Sequence, residues 1–458
     1  MPTPTAPRSF DTAYVARVSA AAALAGLLFG FDTAVISGTI PYITAYFSLD
    51  EFGLGWAVGS ILLGSALGAL LAGGLAEWRG RRAVLFACAA LFAVSALGCA
   101  LAESLGAFVA FRLIGGLGVG AAAVVSPMYI AELVPSEWRG RLVSLYQLAI
   151  VTGILLSYAA NYALADAGDD NWRWMFASEL APAVVFAAML LAVPETPRWL
   201  AMRGRDAEAL QVLGRVGGAA FAKTALARMR ASFAEAPPSR GTGAEVAQLF
   251  SRRYRGIVLV GVAAAVFQQV TGINAILYYA PTIFERTGLD TSSSLLQTIA
   301  VGVVNVASVA VAIALVDRLG RRRLLLVGSV VMGVALAAVA ACFRYGYFDH
   351  YLVLAFTLLY VGAFGCTLGA VTWVLLSEVF PNRIRGHAMA AATLALWLAN
   401  FAVTYTFPIM TERLGTAATL LTYAGACALA FAFTLWKVPE TKGRTLEELE
   451  AELAPALP

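Results

Sequence analysis

Two charged residues lie inside long apolar runs of this sequence. Asp32 lies in the first run, whose outer end we place near residue 38, and Arg112 lies in the fourth, which begins near residue 106. At ~1.5 Å per residue each charge is roughly 9 Å from that end, so both are expected at a similar depth. An unpaired charge in the middle of a membrane helix costs at least ~2.5–3.5 kcal/mol. We therefore expect an ion pair between Asp32 and Arg112.

Such a pair has two interpretations. In the first it is a structural tie between two helices, although buried ion pairs contribute little stability. In the second, Asp32 takes up a proton, becomes neutral and releases Arg112, which changes the conformation that the protein favours. The residue types alone leave both interpretations open.

A second stretch rich in polar chemistry is QQVTGINAILYYAP at residues 268–281. It lies in an apolar segment that begins at Ile257, yet it holds three amides and two phenols. Gly272 and Pro281 are expected to weaken the helix at both ends of the stretch, and bent backbone at membrane depth is tolerated only against protein or a water-filled cavity. Amides beside aromatic rings suit a ligand with many hydroxyl groups and apolar C–H faces. The stretch is therefore predicted to form one wall of a sugar site.

The sequence does not support other kinds of chemistry. The five cysteines fall in apolar segments without metal-like spacing, and His350 and His387 have no acid or nucleophile nearby in sequence. We find no glycine-rich phosphate loop with Lys and Ser or Thr, and no cluster of nucleophile and base. We therefore expect neither an enzyme nor a bound cofactor or metal.

The elements that position these residues are membrane-spanning helices. The chain has 458 residues, of which 60% are hydrophobic and only 13% are charged, about half the charged share of a soluble domain. Twelve apolar segments are long enough to cross a bilayer, so the predicted fold class is an all-α membrane protein. The predicted spans are 15–38, 53–76, 83–102, 106–130, 142–165, 174–193, 256–282, 295–316, 324–343, 352–376, 387–410 and 415–436.

The distribution of basic residues predicts that both termini are cytoplasmic. Of the 32 Lys and Arg residues, the only ones that fall elsewhere are Arg112, Arg173, Arg286, Arg344 and Arg413. The expected parts of the chain are an N-terminal six-helix bundle (1–193), a cytoplasmic helical linker (194–255), a C-terminal six-helix bundle (256–437) and a cytoplasmic tail (438–458). Amphipathic helices are predicted at 206–214 and 219–233 in the linker, and one helix at about 445–453 in the tail.

The two bundles repeat each other. Three motifs of the first half recur in the second at offsets of 240 to 246 residues. A parallel repeat of six spans is typical of transporters whose halves rock about a site at the middle of the membrane, and it predicts a pseudo-two-fold axis. The motif pairs are Glu77-Trp78-Arg79-Gly80-Arg81 with Asp317-Arg318-Leu319-Gly320-Arg321, Glu132-x-x-Pro135-x-x-x-Arg139 with Glu378-x-x-Pro381-x-x-x-Arg385, and Pro194-Glu195-Thr196 with Pro439-Glu440-Thr441.

The charged residues of these motifs are predicted to form a cytoplasmic gate. Carboxylates at helix ends can pair with arginines of neighbouring loops, and rocking of the halves would break those pairs. The alternative is that the arginines only enforce topology. The predicted gate residues are Glu77, Arg81, Glu132, Arg139, Asp317, Arg318, Arg321, Glu378 and Arg385.

These motifs, together with PETPRWL at 194–200, PETKG at 439–443 and the stretch 268–281, resemble the sugar porter family of the major facilitator superfamily over essentially the whole chain. The resemblance implies the superfamily fold, alternating access, and a monosaccharide or polyol as cargo. Proton-coupled members are similar in having Asp at the position of Asp32, whereas facilitative relatives usually have a neutral residue there. This favours proton coupling through Asp32 and Arg112. Glu179 matches a further acidic position of coupled members and is expected to assist.

The resemblance also suggests a cargo site. Several amides and a tryptophan match family positions that hydrogen-bond to sugar or stack on it, and Phe29 and Tyr278 are expected to act as apolar walls or gates. For any one residue alone, a role in helix contact or at the membrane interface is the alternative. The predicted sugar-binding residues are Phe29, Gln147, Gln268, Gln269, Asn274, Tyr278, Asn305, Trp373, Trp397 and Asn400.

Four positions depart from the family pattern. Trp78 replaces a usual Arg or Lys, so the part of the cytoplasmic gate in the first half is expected to be weaker than that in the second. Ala370 stands where Pro is usual, so the sequence does not ensure a hinge in the tenth span. Ile154 and Leu396 replace polar residues of some members, which makes a hexose at least as plausible as a pentose.

The sequence thus predicts a proton-coupled symporter that imports a monosaccharide across the cytoplasmic (inner) membrane. A facilitative sugar uniporter and a non-transporting membrane sugar sensor are the rival hypotheses. The expected partners are the sugar, protons and the lipid bilayer. We expect no nucleic-acid partner and a monomeric protein.

Overall fold

A computed structural model describes residues 10–135, 138–234, 247–347, 350–381, 383–442, 444 and 448. Within these ranges every regular element is a helix. The helices are α1 (Thr12–Phe47), α2 (Glu51–Arg79), α3 (Arg81–Ala100), α4 (Leu105–Leu133), α5 (Arg139–Leu164), α6 (Asn171–Ala177), α7 (Leu180–Leu191), α8 (Pro197–Met202), α9 (Asp206–Ala234), α10 (Arg255–Val270), α11 (Ile273–Glu285), α12 (Thr291–Leu319), α13 (Arg321–Tyr345), α14 (His350–Phe364), a π-helical segment (Gly365–Gly369), α15 (Ala370–Val379), α16 (Arg385–Arg413) and α17 (Thr416–Lys437).

In the described residues, twelve units are long and apolar enough to cross a membrane, which confirms the predicted number and fold class. Three of them are interrupted. The sixth span consists of α6 and α7, the seventh of α10 and α11, and the tenth of α14, the π-helical segment and α15. Hydropathy alone gave no sign of the break in the sixth span, because short apolar helices in series read as one continuous run.

Two local predictions were wrong. The first helix does not end near residue 38 but continues through Pro41 to Phe47. Pro281, which was expected to weaken the helix at one end of the stretch, lies inside α11, which continues to Glu285. Proline inside a helix removes one backbone hydrogen bond, and here neither Pro41 nor Pro281 ends its helix. Only Gly272, with a φ of 95°, separates α10 from α11.

Backbone contacts at glycines hold the helices of the first half together. A methyl group added to Gly120 of α4 would lie 1.9 Å from the carbonyl oxygen of Ser65 on α2, and one added to Gly30 of α1 would lie 1.9 Å from that of Ile150 on α5. Helices in lipid associate through close packing of this kind, because lipid chains are as apolar as leucine. The α1–α5 and α2–α4 pairs therefore tolerate no added side chain at these points.

The repeated Gly-Arg-Arg motif forms the same turn in both halves. Gly80 between α2 and α3 has a φ of 96°, and Gly320 between α12 and α13 has a φ of 86°. A Cβ atom at either position would also collide with a carboxylate, that of Glu195 or that of Glu440. Glycine is thus required at both turns by backbone conformation and by close approach.

The two halves meet at the face opposite to the start of α1 and the end of α17, which we call the outer face because the charge distribution predicts that it is external. There Arg413 at the end of α16 lies 3.6 Å from Glu51 at the start of α2. Deeper in the protein, the Tyr158 hydroxyl of α5 donates a hydrogen bond of 2.8 Å to the Leu277 carbonyl of α11. In this conformation, α2 and α5 of the first half are therefore joined to α11 and α16 of the second on the outer side.

The linker packs against the first half. The predicted amphipathic segments correspond to the parts of α9 on either side of Gly217 and Gly218, where the backbone is not helical. The ring of Phe10 contacts both Trp138, just before α5, and Phe221 of α9. The predicted tail helix at 445–453 lies outside the described residues, except for residue 448. The linker is thus positioned by the N-terminal end of α1 and the entry to α5.

The glycine contact between α2 and α4 gives a testable prediction. We expect Gly120→Ala to lower the thermal midpoint of the purified protein in detergent, because overpacking of this kind costs roughly 1–3 kcal/mol. The matched control is Gly74→Ala on α2, where nothing lies within 4 Å of an added methyl group. Equal midpoints for the two variants would contradict the role assigned to this contact.

Candidate functional site

Asp32 of α1 and Arg112 of α4 form the expected ion pair. The Nη1 atom of Arg112 donates to the carboxylate Oδ1 of Asp32 at 2.8 Å and to the backbone carbonyl of the same residue at 2.8 Å. Both side chains are at most 1% exposed. Because one guanidinium nitrogen contacts two oxygens of one residue, the pair fixes both the side chain and the local backbone of α1.

The depth argument behind this expectation needs a correction. Since α1 ends at Phe47, Asp32 lies roughly 22 Å from the helix end at ~1.5 Å per residue, and not roughly 9 Å. Arg112 lies seven residues after the start of α4 at Leu105, roughly 10 Å by the same measure. The two side chains nevertheless meet, and the end of α1 lies level with the start of α4, because the rings of Phe47 and Phe108 are 5.8 Å apart.

Several polar atoms around the pair have no hydrogen-bond partner in the described part of the chain. They are Asp32 Oδ2, Arg112 Nε and Nη2, and both carboxyl oxygens of Glu179. Glu179 is fully buried at the break between α6 and α7, close enough to interact electrostatically with Asp32 and Arg112. One guanidinium therefore faces two buried carboxyl groups and binds only one of them.

Sequence reasoning missed two small residues beside the pair. Ser95 of α3 has a buried hydroxyl without a hydrogen-bond partner, and Gly115 of α4 lies one turn after Arg112. A Cβ atom on Gly115 would meet both the Ser95 hydroxyl and the Asp32 carboxylate. The spacing of Gly115 from Arg112, which places both on one face of α4, was the only available signal.

The predicted amides of the seventh span form a hydrogen-bonded chain around the Gly272 break. The Asn274 amide nitrogen donates to Gln269 Oε1 at 2.7 Å, and the Gln269 nitrogen donates to Gln268 Oε1 at 3.2 Å. The Gln268 nitrogen in turn donates to the backbone carbonyls of Leu368 and Gly369, both at 3.1 Å. The three side chains thus act as one unit that links α10 and α11 to the tenth span.

The tenth span carries a π-helical segment just before Ala370, which replaces the usual proline. A π-helical turn changes the pairing of backbone groups and is often found at functional sites. Gln268 supplies donors for two of the carbonyls there. A helix irregularity therefore exists at this point of the tenth span without proline.

A second group of predicted residues meets where α1, α11 and α16 come together. The phenol of Tyr278 on α11 faces the side chains of Thr33 on α1 and Asn400 on α16. The rings of Phe29 and Trp397 lie 5.8 Å apart across the two halves. Tyr278 also lies within the electrostatic reach of Asp32 and Arg112, so this group connects the ion pair to the amides.

Three predicted sugar-binding residues make no described contact with the others. Gln147 of α5 is half-buried, and Asn305 of α12 is buried near the π-helical Gly365. Trp373 of α15 is 37% exposed. A separate cavity of about 320 Å³ lies at the outer face, and none of the ten predicted sugar-binding residues lines it.

The predicted gate residues form two equivalent clusters, one in each half. Arg81 pairs with Glu132 at 2.9 Å, and Arg321 pairs with Glu378 at 2.9 Å. Glu195 accepts hydrogen bonds from the backbone N–H groups of Arg81 and Arg82, as Glu440 does at the start of α13. Burial raises the pKa of the Glu195 carboxyl, while its backbone donors act against that rise.

The clusters differ from the predicted cytoplasmic gate, whose pairs would break when the halves rock, because each described pair lies within one half. Glu378 binds Arg321 and Thr441, whereas Arg385 donates to the Phe380 carbonyl. Glu77 is exposed and contributes its backbone carbonyl to Trp199. The Arg318 carbonyl accepts from Lys442. The side chains of Arg139 and Asp317 lie outside the described residues.

Comparison with known proteins places this geometry among transporters. The profile of the family described as "Sugar (and other) transporter" matches residues 18–453. A D-xylose-proton symporter of Escherichia coli is 41% identical over 480 residues, with 96% of each chain covered. An arabinose-proton symporter of Bacillus subtilis is 38% identical over 449 residues, with 97% of this chain and 96% of the relative covered.

The fold is similar to a solved structure of a sugar transporter. A partially occluded inward-open conformation of the xylose transporter XylE from Escherichia coli superimposes with a TM-score of 0.85 at 38% identity. The superposition covers 95% of this chain and 100% of that one.

The amide chain gives a second prediction. We expect Gln268→Leu to lower the thermal midpoint without any sugar present, because the Leu368 and Gly369 carbonyls lose their hydrogen bonds from this amide and each such bond contributes about 0.5–1.5 kcal/mol. The Leu368 carbonyl keeps a second hydrogen bond, from the Thr372 hydroxyl. Asn274→Ala is the control, since it leaves Gln268 on both carbonyls. A Gln268→Leu midpoint equal to that of Asn274→Ala would show that the carbonyls do not depend on this amide.

Proposed function

The chain belongs to the sugar porter family of the major facilitator superfamily, and we propose that it is a symporter that imports a monosaccharide together with a proton. The observation that carries the proposal is the buried Asp32–Arg112 pair with Glu179 beside it. Ionisable groups inside membrane helices are rare and commonly mark ion or proton pathways. The protein is a multi-pass protein of the inner membrane, and we further propose that both termini are cytoplasmic.

The charge balance of the cluster suggests how a proton is held. Asp32 and Glu179 provide two possible negative charges, whereas Arg112 provides one positive charge. Because an uncompensated buried charge is costly, the cluster favours a neutral sum, with one carboxyl group protonated. Arg112 binds Asp32, and neither oxygen of Glu179 has a hydrogen-bond partner among the described residues. We therefore assign the resident proton to Glu179 in this conformation.

Uptake of a proton from outside by Asp32 then removes the charge that holds Arg112. The guanidinium is left without an anion, and Glu179 is the other carboxyl group within its electrostatic reach. Loss of the resident proton from Glu179 toward the inside restores the neutral sum. In this scheme one proton enters at Asp32 and one leaves from Glu179 for each cycle, with Arg112 alternating between them. Transfer of the proton from Asp32 to Glu179 then restores the starting state.

The residues around Tyr278 provide a physical link between proton and sugar. Thr33 follows Asp32 directly in α1 and faces Tyr278, which belongs to α11 just after the Gly272 break. A shift of the α1 backbone on release of Arg112 therefore acts on α11 through Tyr278. The same phenol faces Asn400 of α16, so two helices of the second half respond to the change.

For the cargo site we propose an arrangement around the amide chain. Gln269 and Gln268 are hydrogen-bonded to each other, and Gln268 is also hydrogen-bonded to backbone carbonyls. The carbonyl oxygen of the Asn274 side chain is then the acceptor for sugar hydroxyls. Trp397 has a buried indole N–H without a partner in the described residues, facing Phe29 across the halves. The other members of the proposed set are Gln147, Tyr278, Asn305, Trp373 and Asn400. Xylose and arabinose, which the relatives are named for, are the first sugars to test, followed by hexoses.

We propose that the two cytoplasmic clusters act within their own halves. Arg81–Glu132 and Arg321–Glu378 each fix the turn between two spans to the end of a third, so closure of the inner mouth brings preformed surfaces together. The division into bundles at 1–193 and 256–437, joined by the linker 194–255 and followed by the tail 438–458, is part of this proposal. One chain then contains the whole site, so a monomer is sufficient.

The test of coupling uses purified protein in vesicles with an imposed proton gradient. We expect Asp32→Asn to abolish uphill sugar accumulation and sugar-induced proton uptake, while sugar counterflow persists, because exchange does not require net proton movement. Retained uphill accumulation in Asp32→Asn would refute the coupling. Absence of any counterflow in the parent chain would refute sugar transport itself and favour a sensor.

The hydrogen bond from Tyr158 to Leu277 gives a prediction about the outer face. We expect Tyr158→Phe to favour outer opening by roughly two- to tenfold, since one such bond contributes about 0.5–1.5 kcal/mol. The measurement is the rate at which a membrane-impermeant reagent labels Thr282→Cys, a position that lines the outer cavity. Tyr162→Phe on the same helix is the control, because that ring is exposed. A Tyr158→Phe rate no higher than that of this control would contradict the prediction.

A further inference from the structure

One carboxylate oxygen of Asp32 is left out of the ion pair. Arg112 holds Oδ1 and the backbone carbonyl, whereas Oδ2 is buried without a hydrogen bond in the described residues. A carboxylate is protonated most readily at the oxygen that is not engaged by a cation. Oδ2 is therefore the atom that receives the transported proton, an assignment that rests on the function proposed above.

The hydroxyl of Ser95 is close to Oδ2. A Cβ atom on Gly115 would lie 2.4 Å from Ser95 Oγ and 2.6 Å from Asp32 Oδ2. The sum of these two distances sets an upper limit of about 5 Å on the separation of the oxygens. Rotation of a carboxyl group about its terminal bond is soft, so a hydrogen bond of about 2.7 Å is within reach of a small movement.

Gly115 makes this approach possible. A Cβ atom at position 115 would lie close to both Ser95 Oγ and Asp32 Oδ2, at distances far shorter than a Cβ atom tolerates. A side chain there would therefore block the approach of these two oxygens. The Ser95 hydroxyl is also buried and makes no hydrogen bond in the described part of the chain, and it faces the Cys99 thiol one turn later on α3. In the described residues, a hydroxyl that can both donate and accept a hydrogen bond thus lies beside the unbonded Oδ2 of Asp32.

We propose that Ser95 is a positioning residue for proton coupling, and that its hydroxyl accepts a hydrogen bond from Asp32 Oδ2 once that oxygen is protonated. The bond is absent while Asp32 is paired with Arg112, so it stabilises the protonated form alone. The proton moves from outside onto Oδ2, and no bond other than that hydrogen bond and the Arg112 contact changes at this step. Glycine is required at position 115 because a side chain there would keep the Ser95 hydroxyl and the Asp32 carboxyl group apart.

Other groups also face Asp32 and must be separated from Ser95 in a test. They are Arg112 on α4, Glu179 between α6 and α7, Cys99 on α3 and Tyr278 on α11. Arg112 and Glu179 carry the charges of the cycle. Cys99 is committed to the Phe108 carbonyl, and Tyr278 faces Thr33 and Asn400. Ser95 differs from them in carrying a hydroxyl that makes no hydrogen bond within the described residues; its neighbour, the Cys99 thiol, is only a weak acceptor.

The experiment is the pH profile of proton-driven sugar uptake in vesicles. A bond present only in the protonated form helps Asp32 to take up its proton at higher pH. We therefore expect Ser95→Ala to move the pH of half-maximal uptake to the acid side by about half to one unit, the equivalent of one neutral hydrogen bond. Sugar counterflow should be unchanged, and Ser95→Thr, which keeps the hydroxyl, should restore the parent profile.

Ser60→Ala is the matched control, since Ser60 on α2 also has a buried hydroxyl without a partner. An unchanged profile in Ser95→Ala, or a shift to the alkaline side, overturns the proposal; an equal shift in Ser60→Ala does the same. Asp32→Asn is assayed in parallel. Retained uphill accumulation in that variant marks failure of the proposed function, whereas lost accumulation there with an unshifted Ser95→Ala marks failure of the Ser95 assignment alone.

Discussion

The cost of charge inside a membrane governs the first half of this protein. Asp32 and Arg112 meet through a single guanidinium nitrogen, and both are almost completely buried. A pair that satisfied all of its polar atoms would hold the two helices in one arrangement, whereas this one leaves Nε and Nη2 of Arg112, and Oδ2 of Asp32, without a hydrogen bond in the described part of the chain. Buried pairs owe little net stability to their attraction, because desolvation offsets most of it. Incomplete satisfaction is therefore consistent with the alternative pairing to Glu179 proposed above.

Breaks in the membrane helices coincide with the residues that carry chemistry. Glu179 lies between α6 and α7, the amides of the seventh span surround the gap between α10 and α11, and the π-helical segment precedes α15. Irregular backbone at membrane depth must be satisfied by neighbouring protein. Here the Tyr360 hydroxyl donates to the Thr271 carbonyl at 2.9 Å, and Gln268 serves the π-helical segment. The uninterrupted helices α1 to α5, packed through glycines, form the frame against which these breaks can move.

The sequence predicted the fold well, because twelve long apolar runs and a motif repeat are strong signals. It also predicted the Asp32–Arg112 pair, since the cost of an unpaired charge outweighs an error in where α1 ends. It did not predict that Gln268 would bind backbone, because no periodicity marks a π-helical segment. Nor did it predict that Glu378 binds Arg321 rather than Arg385, a choice made by tertiary contact. Ser95 and Gly115 were missed because serine and glycine are abundant throughout these helices.

If Gln268 also contacts the cargo, as proposed above, its hydrogen bonds to backbone limit how the sugar preference of this protein can be engineered. Its amide nitrogen is already occupied by Leu368 and Gly369, so exchanging it to suit another cargo would also loosen the tenth span. Asn274 lies at the other end of the hydrogen-bonded amide chain, and Ile154 is not part of that chain. Exchanging either of them leaves the hydrogen bonds to the tenth span in place. Directed evolution toward new carbohydrates should accordingly accumulate changes at the latter two positions while leaving Gln268 untouched.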